Sequence, residues 1–207
     1  MPAKSKDMPT KGEATRHAIE DAAVELFMKY GYHATSMRQI AERAALAVGG
    51  IYNHFKSKEE IFEAIIIDKH PYKKVLPAIL EAQGETVEDF IKNAAQVSII
   101  ELKKQPYYLN LMFIEFVEFN GKHGASLLRE IAPKVLPIFE KLIKSRKELR
   151  IINPALLVRS FFGMLISFMI TEMVIGDSPF KALQPKNPMD AYVDIYLHGI
   201  IKSKDEG

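Results

Sequence analysis

Residues 35–58 read TSMRQIAERAALAVGGIYNHFKSK, and their spacing decides the fold. Ser36 followed by Gln39 has the form of a capping box, so a helix opens there with Met37, Ile40, Ala41 and Ala44 turned inward. The turn Ala45-Leu46-Ala47 separates it from a further short helix. In that helix Ile51 and Phe55 fall on the core side, and Val48, Gly49, Tyr52 and Asn53 on the opposite one. One short helix crossing another is the geometry of a helix-turn-helix, which lays its second helix in the DNA major groove. Ser57-x-x-Glu60 is a second capping box, and the helix it starts carries Ile61, Phe62, Ile65 and Ile66.

Upstream, a first helix is expected from Lys11 to Tyr30. Ala18, Ala22, Leu26 and Tyr30 recur along it, flanked by Ile19, Ala23 and Phe27, as one broad apolar face, and Gly31 stops it. Residues 1–10 are polar without an apolar core, so they read as a flexible arm and not as a signal peptide. Between Leu26 and Lys58 the charges are Lys29, Arg38, Arg43, Lys56 and Lys58 against Glu42 alone. A net charge of +2 for 207 residues says little, but this local basicity coincides with the helix-turn-helix.

The rest of the chain is helical without alternating strands. Pro71 and Pro77 are expected to interrupt the fourth helix, with Pro71 marking the boundary between two parts of the protein. Thr86-x-x-Asp89 opens a helix ending near Lys104, and another runs from Tyr107 to Asn120. The segment 125–149 contains Pro133 and Pro137 and is expected to break into two helices. Asn153-Pro154 opens an apolar helix to Ile175, a loop follows at Gly176–Pro179, and a last helix follows Pro188. The apolar run Ser160–Thr171 falls short of the roughly 20 residues that span a bilayer, so a buried core or interface helix and no membrane partner are expected. The fold class is all-α, with an arm (1–10), a helix-turn-helix DNA-binding domain (11–70) and a helical ligand-binding and dimerisation domain (71–207).

The absence of cysteine removes disulfides, thiolate metal sites and cysteine nucleophiles, and fits a cytoplasmic location. The histidines (17, 33, 54, 70, 123, 198) include no pair at helical metal spacing, and no P-loop, GxGxxG or GxSxG occurs. No enzyme activity, metal or cofactor is expected.

These residues resemble the TetR/AcrR family of one-component transcriptional regulators. The resemblance rests on Gly31-Tyr32, Thr35, Ile40-Ala41-Glu42-Arg43-Ala44, Gly49, Tyr52-Asn53-His54-Phe55 and Lys58-Glu59, and covers about the first 65 residues. Ala45 stands where the family usually has Gly; in a left-handed conformation it costs about 1–2 kcal/mol. Ala47 stands where the family usually has Ser, which forgoes a cap worth roughly 1 kcal/mol. Gly49 and Gly50 each lower helix propensity by about 1 kcal/mol, so the third helix depends on Ile51 and Phe55 docking.

The resemblance implies that Tyr52 and Lys58 contact phosphates, helped by Thr35 and the amino end of the fourth helix. Val48 can touch a thymine methyl, Asn53 can hydrogen-bond a base, and Gly49 lets the backbone approach. Ser36, Arg38, Gln39, Ala47, Gly50 and His54 complete the candidate DNA-binding set, with packing the first reading for His54 and a surface charge for Arg43. Direct readout is thin at residues 47–50, so DNA shape and the Lys4/Lys6/Lys11 arm are expected to contribute.

Aromatic and thioether side chains crowd the remainder: Phe90, Tyr107, Tyr108, Met112, Phe113, Phe116, Phe139, Phe162, Phe168 and Met169. They are candidates for a lipophilic effector pocket, against the plain alternative that each fills a core. Leu111, Glu115, Glu118 and Lys122 share one stripe that reads as a solvated face. Ser160, Gly163, Ser167 and Thr171 form a small-residue stripe, and with Tyr192, Ile195 and Tyr196 they are the candidate dimer surface. The resemblance implies a two-fold homodimer, a palindromic double-stranded DNA operator and a small-molecule effector of unknown identity, most simply as a repressor. A ligand-independent DNA-binding protein and a helical protein-interaction module are the alternatives.

Overall fold

The computed structural model describes residues 10–82, 84–145, 153–176 and 178–200, with side-chain surroundings for all of these except 137–145 and 200. The expected arm lies outside the described residues apart from Thr10; Phe139's side chain, 146–149, Asp177 and Ile201 lie outside them as well. Among the described residues all regular structure is helical. The chain divides into two compact units, Met1–His70 with Asn110–Leu127, and Pro71–Leu109 with Leu128–Gly207.

In the first unit, α1 (Lys11–Tyr30) opens on a capping box that the sequence reading passed over: Glu13 N–H donates to Thr10 Oγ1, and Thr10 N–H to Glu13 Oε2. Its buried apolar face is Ile19, Ala22, Ala23, Leu26 and Phe27, whereas Ala18 and Tyr30 are exposed. A strict four-residue repeat drifts around a helix of 3.6 residues per turn, so the ends of the expected stripe rotate off the core. Three short helices follow: α2 (Met37–Arg43), α3 (Val48–Ile51) and α4 (Lys58–Asp68). Ile40, Ile51, Phe55, Ile61, Phe62 and Ile65 are fully buried, so α3 is held by its two docked side chains as its composition requires. The expected box at Ser57 is rearranged: Glu60 N–H donates to Ser57 Oγ, but the Glu60 carboxylate accepts from Lys56 N–H.

Two further helix segments belong to this unit. α7 (Tyr107–Phe119) ends where Asn120 and Gly121 adopt positive φ (51° and 76°), turning the chain back into α8 (Lys122–Ser145). Glu115 does not lie on a solvated stripe. It is 1% exposed and accepts from His123 N–H (2.7 Å), from Gly124 N–H (3.2 Å) and, through Oε2, pairs with His123 Nδ1 (2.8 Å). Leu111 is buried too, Glu118 pairs with His33, and Lys122 with Glu59 at 2.6 Å. The reverse turn causes these differences, because it folds α8's unsatisfied first amides back onto α7.

The second unit packs α5 (Tyr72–Glu81), α6 (Val87–Lys103), α9 (Pro154–Ile175) and α10 (Pro188–Ile200), with a 3-10 helix at Pro179–Leu183. Pro71 stands at a boundary, directly before α5. Pro77 does not interrupt a helix: it sits inside α5 on the exposed side while Val75 and Ile79 are buried in the core. α8 is likewise one helix and not two. Pro133 and Pro137, four apart, leave their missing backbone bonds on one face, so the remaining ladder persists.

α9 keeps the bounds and the cap expected of it. Asn153 Oδ1 accepts from Ala155 N–H and Pro154 follows it, so the helix runs 22 residues and is long and apolar enough to cross a membrane by length and composition. It is not covered on all sides. Leu157, Phe161, Leu165 and Phe168 enter the core, while Leu156, Ile166, Met173 and Val174 are 46–71% exposed.

Candidate nucleic-acid interface

The interface begins with the cap that starts α2. Gln39 N–H donates to Ser36 Oγ (3.3 Å) and Ser36 N–H to Gln39 Oε1 (2.8 Å), which fixes the amino end of the helix. Arg38 and Gln39 are exposed there, with Arg38 Nε 2.9 Å from Glu42. α2 then ends at Ala44, and Ala45 takes φ 55°, the left-handed conformation that makes its position suit glycine. Ala47 caps α3 without a side-chain bond.

α3 is short, with Tyr52 at its end and Asn53 and His54 in the turn that follows. Ala47, Val48, Gly49, Tyr52 and Asn53 are exposed, Val48 by 40% and Tyr52 by 51%; Gly50 and His54 are half-buried. A Cβ added at Gly49 or Gly50 would meet nothing within 4 Å, so these positions face open space.

Two of the expected phosphate contacts are placed otherwise. Thr35 is 2% exposed and its hydroxyl donates to Gly31 O at 2.9 Å. Lys58 Nζ donates to the carbonyls of Tyr32 (2.5 Å), Thr35 (2.7 Å) and, more loosely, His33 (3.4 Å). Burial pulls the Lys58 pKa below the usual lysine range, against the opposing pull of Glu118. The same environment, with Glu59 and Glu118 nearby, pushes Tyr32 up to about 12. Arg43 is an exposed surface charge, as expected, and pairs there with Glu25 of α1. The segment is therefore less basic outwardly than its composition, because local cations are held by carbonyls and carboxylates.

Arg16 was missing from the sequence reading. Its guanidinium lies 4.1 Å above the Phe55 ring, and Nη1 is 3.4 Å from His54 O, so it holds the turn after α3. Nothing local announces this contact, which spans 38 residues.

The other candidates divide between the units. Phe90, Phe162 and Met169 are half-buried against the second unit's core, which includes Phe168; Tyr108 is buried and Tyr107 half-buried. Met112, Phe113 and Phe116 belong to the first unit, with Phe113 and Phe116 41% and 59% exposed. Ser160, Gly163, Ser167 and Ile195 are exposed. Thr171 Oγ1 lies 3.2 Å from the Tyr192 hydroxyl, and both side chains are half-buried. Tyr196 is a core residue and not a surface one: its hydroxyl donates to Leu157 O, and burial pushes it up to about 12.

A capped α2, a tight turn and an outward α3 over a three-helix core define a DNA-binding helix-turn-helix. The family described as bacterial regulatory proteins, tetR family, matches residues 19–65. The uncharacterized HTH-type transcriptional regulator YvkB of Bacillus subtilis is 31% identical over 176 residues, 83% of this chain and 90% of its own. The HTH-type transcriptional regulator UidR of Escherichia coli is 41% identical over 61 residues, 30% of this chain but only 31% of UidR's length. Among solved structures, SmeT in its triclosan complex superposes with a TM-score of 0.63 at 23% identity, covering 92% of this chain and 93% of that one. The chain belongs to the TetR family of DNA-binding transcriptional regulators, and it is not an enzyme.

Proposed function

We propose that the protein is a cytoplasmic, ligand-responsive repressor that binds a palindromic operator as a homodimer and is released by a small lipophilic effector. The observation that carries this reading is the α2–α3 surface, with Val48, Gly49, Tyr52 and Asn53 outward over fully buried Ile40, Ile51 and Phe55. Ser36 at the amino end of α2, with Tyr52, meets phosphates; Val48 and Asn53, with Arg38 and Gln39 as further candidates, meet base edges, and Ala47, Gly49 and Gly50 let the backbone come near. Residues 11–70 form the DNA-binding part and 71–207 the effector and dimer part.

Support for a lipophilic effector comes from the aromatic and thioether groups Phe90, Phe162, Phe168 and Met169, and from SmeT, whose structure of the same fold holds triclosan. Repression is the simplest output, since a dimer seated on an operator needs no further surface to exclude polymerase.

The test is operator binding over a range of salt, with and without compounds that raise the melting temperature. A steep salt dependence and weaker binding with a stabilising compound are expected. Equal operator affinity in the presence and absence of a compound shown to bind would refute the switch. Gly49→Ala tests the close approach. It should raise stability by about 1 kcal/mol, because the methyl meets open space in a helix, and at the same time weaken operator binding.

A further inference from the structure

The turn between α1 and α2 is organised around one ammonium. Gly31 closes α1 at φ 83°, and the next residues reverse the chain before Ser36 caps α2. Lys58 stands at the first position of α4, where the helix dipole disfavours a cation. It is nevertheless half-buried, because carbonyl oxygens from this turn converge on its Nζ: Tyr32 at 2.5 Å, Thr35 at 2.7 Å and His33 at 3.4 Å. An ammonium has three donors and no acceptor; Tyr32 and Thr35 take two of them in short, part-buried bonds, and the third makes only a long, exposed contact to His33. Its charge also lies 4.3 Å from the centroid of the Tyr32 ring, which packs edge-on against Phe62 and Phe119. Thr35 completes the arrangement by donating its hydroxyl back to Gly31 O at 2.9 Å.

A phosphate that drew this lysine outward would break its two short bonds and leave the Tyr32 and Thr35 carbonyls unpaired in a half-buried site. Lys56, two residues earlier, is exposed and meets no such obstacle. We propose that Lys58 is a positioning residue for DNA binding and not a phosphate contact: it ties the amino end of α4 to the Tyr32–Thr35 turn and so fixes the capped start of α2 relative to α3. The inference rests on the reading that the α2–α3 face meets DNA. That face has two parts, Ser36–Gln39 and Val48–Asn53, and both must match one groove, which tolerates little displacement between them.

The full-length wild-type protein is labelled with acetic anhydride, free and bound to a fluorescent duplex that it has itself selected from a random-sequence pool. Lys58 should react more slowly than Lys56 already in the free protein, with no further slowing on DNA. Protection of Lys58 that appears only with DNA overturns the proposal. The second measurement uses Lys58→Met, which retains a stem over the Tyr32 ring. For the folded variant, affinity for the same duplex should fall about tenfold or more. The slope of log affinity against log salt should stay unchanged, and the amide signals of residues 31–39 should move. A slope shallower by about one with unmoved turn signals marks a phosphate contact and overturns it; so does unchanged affinity. If Lys58→Met does not fold, the labelling result on the wild-type protein decides. A wild-type protein that binds no duplex in a salt-dependent way removes the DNA reading itself, a result distinct from all of these.

Discussion

Ala45 at φ 55° and Ala47 at an α3 cap with no side-chain acceptor are both local losses in the centre of the helix-turn-helix. Ala45→Gly should recover about 1 kcal/mol, because glycine adopts the left-handed conformation without a Cβ penalty. Ala47→Ser should recover roughly 1 kcal/mol by accepting from an α3 amide. Chemical denaturation of the two single variants checks both, and a loss of stability in either would show that the turn geometry differs. A third residue bears on pH. Glu20 is fully buried and its Oε1 accepts no hydrogen bond; Arg16 Nε lies 3.5 Å from Oε1 and His17 Nδ1 3.4 Å from Oε2. Burial first, and Asp68 second, raise its pKa. A carboxyl with a raised folded pKa holds its proton where the unfolded chain has released it, so stability falls as pH rises from the unfolded value through the folded one. Glu20→Gln should therefore stabilise the protein at neutral pH, by on the order of 1 kcal/mol. The gain should vanish in acid below both values; thermal melts across that range would show a constant difference if the carboxyl did not titrate with folding. The caps at Ser36 and Asn153 and the inward Ile51 and Phe55 were legible in the sequence because each depends on neighbours within a turn or two of helix. The Lys58 cage was not: its carbonyls lie 23 to 26 residues away, and only the folded turn assembles them.

At the scale of elements, the least legible feature was the return of Asn110–Leu127 to the first unit. Counting by threes and fours puts Glu115, Glu118 and Lys122 on one exposed stripe, but α7 stops at Phe119 and the left-handed Asn120 and Gly121 reverse the chain. Glu115 then meets the first turn of α8, where backbone amides lack helical partners and a carboxylate is favoured. His123 is sandwiched in the same place, with Phe119 at 4.7 Å and Phe62 at 5.9 Å between ring centroids. These rings join Tyr32 and Phe27 in a cluster whose pairs each contribute about 0.5–1.5 kcal/mol beyond area burial. Glu115→Leu fills similar space but removes the acceptor of two backbone amides and the partner of the imidazole. It should destabilise the protein by about 3 kcal/mol, since unsatisfied buried donors cost about 1–3 kcal/mol each. Urea titration measures this, and a change within error would mean that water replaces the carboxylate. The prolines of α5 and α8 misled in the opposite direction. A proline weakens a helix locally, but Val75, Ile79 and Val135 are anchored in the core and hold those helices through it. Sequence alone shows the break signal without the packing that overrides it.

At the scale of the whole molecule, α9 poses the remaining physical question, because a helix with one face in a core does not ordinarily leave the other face apolar. Leu156, Ile166, Met173 and Val174, with Ile195 of α10 at 73%, are exposed beside the small residues Ser160, Gly163 and Ser167. Positions 156, 160, 163, 167 and 174 recur at helical spacing along α9, so three small residues lie between Leu156 and Val174, where another helix can come close. The proposed homodimer would seat a second copy of the chain on this face with the same pattern, as an isologous interface requires, and stable interfaces bury roughly 800 Å² per partner. Gly163 allows this to be separated from folding. A Cβ there meets nothing within 4 Å in the protomer, so Gly163→Leu should leave the melting transition of the second unit intact while blocking close helix approach. If the proposed dimer forms through this face, sedimentation velocity should show a dimer for the wild-type protein and a monomer for the variant, and binding to a two-half-site operator should fall by far more than binding to a single half-site. A variant that sediments with the wild-type protein would place the dimer contact elsewhere and leave the open apolar face of α9 for a different partner.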